Sequence, residues 1–93
     1  MNSSENSTFK VQLLAQPRSY LKRLDRSTQK RIATAIEAIS ANPLSGPNIK
    51  PLQGFRQKYR YRVGDIRIIY SVKIQERLII VEVIGPRGDV YKK

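Results

Sequence analysis

Lys58-Tyr59-Arg60-Tyr61-Arg62-Val63-Gly64-Asp65-Ile66-Arg67-Ile68-Ile69-Tyr70 is the stretch whose reading decides the fold. Its first half alternates with period two, so Lys58, Arg60 and Arg62 face one side of a strand and Tyr59, Tyr61 and Val63 the other. Gly64-Asp65 suits a two-residue turn of type II′ or I′, which returns the chain as a second antiparallel strand. That turn sets Arg62 opposite Arg67 and Arg60 opposite Ile69, and gathers the cations Lys58, Arg60, Arg62 and Arg67 on one face. Like charges opposite one another destabilise a sheet, so a fold that carries them is expected to meet a polyanion.

The rest of the chain supplies what covers the apolar face of this hairpin. Upstream, Phe9, Val11 and Leu13 alternate with Lys10 and Gln12 and predict a strand from about Phe9 to Leu14. Pro17 fits the first turn of a helix carrying Tyr20, Leu21 and Leu24. Asp25 is a candidate N-cap for a second helix to about Ala41, with Ile32, Ile36 and Ile39 on its buried stripe and Asn42-Pro43 ending it. Leu44 to Gln57, with Gly46, Pro47, Pro51 and Gly54, reads as a loop that Leu52 and Phe55 pin to the core. Downstream, Leu78 to Ile84 has the continuous β-branched character of a well-buried strand, broken by Gly85-Pro86. The expected fold is α+β, of order βααβββ. An N-terminal strand and a helical hairpin precede a three-stranded antiparallel meander, and both helices pack on one face of a twisted sheet. Residues 1–8 read as a flexible Asn/Ser-rich leader, and residues 9–93 as a single domain.

Composition narrows the chemistry. The 93 residues carry 18 Lys+Arg against 7 Asp+Glu, a net charge of +11, which makes nucleic acid, an anionic membrane and an acidic protein the candidate partners. No apolar run approaches the roughly 20 residues of a membrane span, and Met1 to Thr8 lacks the apolar centre of a signal peptide, so a cytoplasmic location without membrane contact is expected. There is no His and no Cys. The usual zinc sites, a Ser-His triad and histidine acid-base pairs are thereby excluded, and the scattered acids show no metal-binding spacing. No cofactor and no metal are expected. What remains is Lys, Arg and Tyr.

The order of these landmarks resembles the RelE/ParE superfamily of bacterial toxins. A helical hairpin follows an N-terminal strand. Then come Leu52-x-Gly54, the run Tyr59-Arg60-x-Arg62-Val63-Gly64-Asp65-x-Arg67-x-x-Tyr70, and finally Gly85-x-Arg87-x-x-x-Tyr91. The resemblance covers about Phe9 to Tyr91 and implies a toxin of a type II toxin-antitoxin system, neutralised by a cognate antitoxin. It implies one of two activities: RelE-like members cut messenger RNA, many of them on the ribosome, whereas ParE-like members poison DNA gyrase. On the RelE-like branch, Lys58, Arg60, Arg67, Arg87 and Tyr91 fall on the catalytic positions. Arg60 stands where the best-studied member has a lysine assigned to proton transfer, and the interval from Arg87 to Tyr91 is shorter. Arg56, Arg62, Lys92 and Lys93 flank these positions and are expected to hold RNA phosphates.

The expected reaction is attack of a ribose 2′-hydroxyl on its own phosphodiester, without metal. Arg60 and Arg67 would stabilise charge on the phosphoryl oxygens, and Arg87 the leaving oxygen. Arginine is a poor base, which leaves two candidates for proton acceptor. They are Lys58, with neighbouring guanidinium groups favouring its neutral form, and Tyr91, as phenolate or as a platform for a base. The alternatives are a gyrase-poisoning toxin and a plain nucleic-acid-binding domain. The expected partners are messenger RNA, the ribosome and an antitoxin with an acidic segment.

Overall fold

The hairpin closes as its alternation requires. In the computed structural model, which describes residues 8–86, strands β3 (Lys58–Val63) and β4 (Ile66–Lys73) pair antiparallel. Arg62 lies opposite Arg67 and Arg60 opposite Ile69. Gly64 takes φ 58° while Asp65 stays out of the left-handed region, the signature of a type II′ turn whose first position favours glycine.

The upstream strand β1 (Lys10–Leu13) is followed by helices α1 (Ala15–Lys22) and α2 (Arg26–Ala41). Asp25 caps α2: its carboxylate accepts from the Thr28 backbone N–H at 3.3 Å and from the Thr28 hydroxyl at 2.6 Å. Those hydrogen bonds hold the Asp25 carboxyl below its usual range. Ile32, Ala35 and Ile39 recur one helical turn apart and are buried against the sheet.

The sheet has five strands in the order β1-β5-β4-β3-β2. β5 (Leu78–Pro86) is an interior strand, parallel to β1 and antiparallel to β4, as its β-branched run predicts. Ile68, Tyr70, Val72, Ile79, Val81 and Ile84 form the core with the α2 stripe, and Tyr59 and Tyr61 pack against it. The expected α+β fold with both helices on one face is present. Two local expectations were wrong. The segment read wholly as loop contains a short edge strand, β2 (Ile49–Pro51), paired antiparallel with Tyr59–Tyr61 of β3. Pro51 hid it from a pattern reading, yet an edge strand tolerates a residue without an N–H. Phe55 does not pin the loop to the core: it is 49% exposed, with the Lys58 ammonium 5.6 Å from its ring centroid. Among the described residues no helix is long and apolar enough to cross a membrane.

Tyr70 ties the two layers together. It is fully buried, stacks on Tyr59 with centroids 5.8 Å apart, and donates its hydroxyl to the Pro43 carbonyl at 2.7 Å, just past the end of α2. Burial, reinforced by Tyr59 and Tyr61, pushes its phenol well above the ordinary value. A raised acid binds its proton more tightly folded than unfolded, so stability is intact below the unfolded phenol pKa of about 10 and falls as pH rises past it. Tyr70→Phe is expected to cost about 1 to 3 kcal/mol at neutral pH, because the Pro43 carbonyl loses its donor. It should also flatten the alkaline decline. Urea melts across pH 8 to roughly pH 11 check both, and an identical alkaline slope in the two proteins would contradict the assignment.

Candidate functional site

The face of the sheet opposite the helices carries the cations. On β3 the outward positions are Lys58, Arg60 and Arg62, on β4 Arg67, Ile69, Ser71 and Lys73, and on β2 Lys50, which pairs with Arg60. Arg60, Arg62 and Arg67 line a cleft of about 180 Å³ together with Lys50, Pro47 and Asn48. The Arg62 backbone N–H donates to the Asn48 carbonyl at 3.0 Å, holding the loop before β2 against β3 as the cleft's wall. Three guanidinium groups and one ammonium around so small a space make an anion site: the planar donor forks match phosphate oxygens, and no described acid lines the cleft to neutralise them. Arg62 and Asn48 also border a shallower groove running past Gly64 to Arg31 on α2, so positive charge continues around the hairpin.

The residues expected from sequence are distributed unevenly around this cleft. Arg60, Arg67 and Arg62 meet in it, the last two as a direct cross-strand pair. Lys58 is on the same face but outside the cleft lining, and its ammonium bonds the Glu82 carboxylate at 2.6 Å. Lys58 therefore has a carboxylate beside it as well as the guanidinium groups that its sequence neighbours supply. Arg56 is exposed in the turn before β3. Arg87, Tyr91, Lys92 and Lys93 lie outside the described residues.

Two residues were missed by sequence reasoning. Lys50, in the segment read as loop, supplies the fourth cation of the cleft. Glu82 places a carboxylate on the cationic face, bonded by Lys58 and, at 3.0 Å, by the Ser71 hydroxyl. Lys50 left no signal in the pattern. Glu82 did, as the one charge inside the apolar run from Leu78 to Ile84.

Against known families, residues 11–91 match the ParE toxin family of type II toxin-antitoxin systems, parDE. The toxin candidate RelE1 of Methanocaldococcus jannaschii is 34% identical over 86 residues, covering 90% of this chain and 96% of its own. This chain belongs to the RelE/ParE toxin family. The toxin's fold agrees with that of RelE in the archaeal RelE-RelB complex of Pyrococcus horikoshii, at a TM-score of 0.77 and 26% identity, covering 89% of this chain and 99% of that one. It also agrees with the toxin fold of the Escherichia coli RelBE complex, at a TM-score of 0.75 and 13% identity, covering 86% of this chain and 98% of that one. The RelE/ParE resemblance read from Leu52-x-Gly54, the hairpin and the C-terminal motif is therefore correct.

Proposed function

We propose that this toxin is a RelE-like endoribonuclease that cleaves messenger RNA on the ribosome, in the cytoplasm, by 2′-hydroxyl attack on the adjacent phosphodiester. One observation carries the reading: Arg60, Arg62, Arg67 and Lys50 surround a single cleft of about 180 Å³ on the sheet. Donors fixed on strands need no reorganisation when charge builds on the phosphoryl oxygens, which is where such a site lowers a barrier. Arg67 and Arg60 grip the phosphoryl oxygens, Arg62 and Lys50 hold the flanking phosphate, and Lys58 exchanges protons at the cleft's edge. Arg87 and Tyr91 complete the site on the strength of the family motif, with Arg87 on the leaving oxygen and Tyr91 against a base. The products are a 2′,3′-cyclic phosphate and a 5′-hydroxyl end. Inhibition by a RelB-like antitoxin, as in the complexes of its structural relatives, follows from the same charge: an acidic segment would compete for the cleft.

The test is induction of the wild type and of an Arg60→Ala variant in cells, with transcript 5′ ends mapped relative to reading frame. Frame-dependent ends with the wild type alone support the reading. The matched family is named for ParE, so gyrase poisoning is the second reading. DNA breaks with intact transcripts would select it.

RNA binding should be strongly salt-dependent. Each phosphate neutralised on a single strand adds about −0.7 to the slope of log K against log salt, and Lys50→Ala should make the slope shallower by up to about 0.7 without changing sequence preference. Fluorescence anisotropy with labelled RNA between about 50 and 200 mM salt measures this. A slope unchanged by Lys50→Ala would remove Lys50 from the phosphate track.

A further inference from the structure

The anion cleft leaves one part of the proposed reaction unexplained: no guanidinium accepts a proton at working pH, and the chain has no imidazole. The cationic face itself contains an answer. β5 reads Leu78-Ile79-Ile80-Val81-Glu82-Val83-Ile84, and strict alternation could not bury both Val81 and Ile84 in one core. A register shift resolves this: Tyr70 pairs with Val81 but Ile69 with Val83, so Glu82 is the extra residue of a bulge. The Glu82 carboxylate thereby reaches across two strands. Its Oε1 lies 2.6 Å from Lys58 Nζ on β3, and its Oε2 accepts from Ser71 Oγ on β4 at 3.0 Å. Ser71 fixes the carboxylate's rotation, so that Oε1 is aimed at the ammonium.

Its neighbours make this carboxylate unusual. The other described acids, Asp25, Glu37, Asp65 and Glu76, sit on a helix cap, the surface of α2 and two turns. Glu82 alone among them stands on the face that also presents Lys58, Arg60 and Arg62 from β3, Arg67 and Lys73 from β4, Lys50 from β2 and Lys10 from β1. Half-buried ion pairs contribute little net stability, since desolvation offsets most of the attraction. A carboxylate that weakens a phosphate-binding surface therefore calls for another role.

We infer that Glu82 is a positioning residue that acts through Lys58, the two forming a proton relay for the 2′-hydroxyl; the inference rests on the nuclease reading. First an Nζ–H bond of Lys58 breaks and its proton forms an O–H bond on Glu82 Oε1, which leaves the electron pair on Nζ. As the 2′-oxygen attacks phosphorus, its O–H bond breaks and that proton forms a new N–H bond on the lone pair of Nζ. Lys58 ends as it began, an ammonium, and Glu82 ends neutral. The P–O5′ bond then breaks, its electron pair stays on the 5′-oxygen, and water supplies the proton of the new 5′-hydroxyl. Glu82 returns its proton to solvent. The lysine thus serves as base through an amine that exists only while Glu82 holds its proton, so no proton need be lost to solvent before attack.

Single-turnover RNA cleavage against pH tests the relay. The wild type should have a nearly level rate across the neutral range, because the ionised pair is ready throughout. Glu82→Gln keeps the shape but removes the acceptor, so Lys58 must first lose a proton to solvent. Its rate should fall about 100-fold at neutral pH and climb about tenfold per pH unit. Lys58→Arg keeps the ion pair, and with it the local fold, but cannot release its proton, and it should lose cleavage to a similar extent. A Glu82→Gln enzyme with the wild-type rate, or with a lower rate but a parallel pH profile, overturns the relay, as does an active Lys58→Arg enzyme. No cleavage by the wild type itself overturns the nuclease reading and the relay with it.

Discussion

Arg67→Ala should lower the RNA cleavage rate by about 10²- to 10³-fold and abolish growth inhibition on induction, while leaving the protein folded. The two halves of this expectation have different physical origins. The guanidinium lies in the cleft with Arg60 and Arg62, where a fixed donor acts on the charge that appears only in the transition state. Loss of one such donor removes stabilisation worth about 3 to 4 kcal/mol to the barrier. In the unbound protein the same side chain is directly opposite Arg62, a like-charge pair that costs a sheet about 0.2 to 1 kcal/mol. Removing it relieves that repulsion. Cleavage assays alongside denaturant melts separate the effects. An Arg67→Ala protein that is clearly less stable would mean that Arg67 is a structural residue, and one that cuts RNA normally would remove it from the site.

Ile39→Ala should do the opposite, costing about 2 to 5 kcal/mol of stability while altering no group that meets RNA. Ile39 is fully buried at the end of the α2 stripe, in the cluster that joins Ile32 and Ala35 to Ile68, Tyr70 and Ile84. Truncation leaves a cavity that a helix fixed at its other end by the Asp25 cap cannot close. Against the roughly 5 to 15 kcal/mol that typically holds a domain together, this is a large share. At about 4 to 8 °C per kcal/mol for a domain of this size, the melting temperature should fall by ~10 °C or more. Loss of toxicity in cells would then follow from the population unfolded, and purified protein assayed well below its melting temperature should cleave RNA at close to the wild-type rate. A small change in melting temperature would show that the core repacks around the missing methyl groups.

Much of this molecule was legible from short-range pattern. The Gly64-Asp65 turn determined the cross-strand partners of Arg60 and Arg62, because a two-residue loop leaves one register open to alternating strands. Asp25 marked the start of α2 and Asn42-Pro43 its end, since capping depends on groups within a few residues. Tyr59, Tyr61 and Tyr70 went to the core because alternation carries side-chain direction with it. The motif from Leu52 to Tyr91 carried the family, although Arg87 and Tyr91 fall outside the described residues and their roles remain part of the proposal.

Contacts between distant segments were another matter, and they decide the chemistry. Lys50 enters the cleft only because β2 adds to the free edge of β3, a pairing that the prolines and glycines around it conceal. Lys58 was read by its nearest cations, yet its partner is Glu82, 24 residues further on, brought beside it by strand order and a one-residue bulge. Local sequence determined which faces are basic and which apolar, because side-chain direction follows from backbone period alone. Only the assembled sheet decided which charges meet, because that depends on which strands become neighbours and where their register slips.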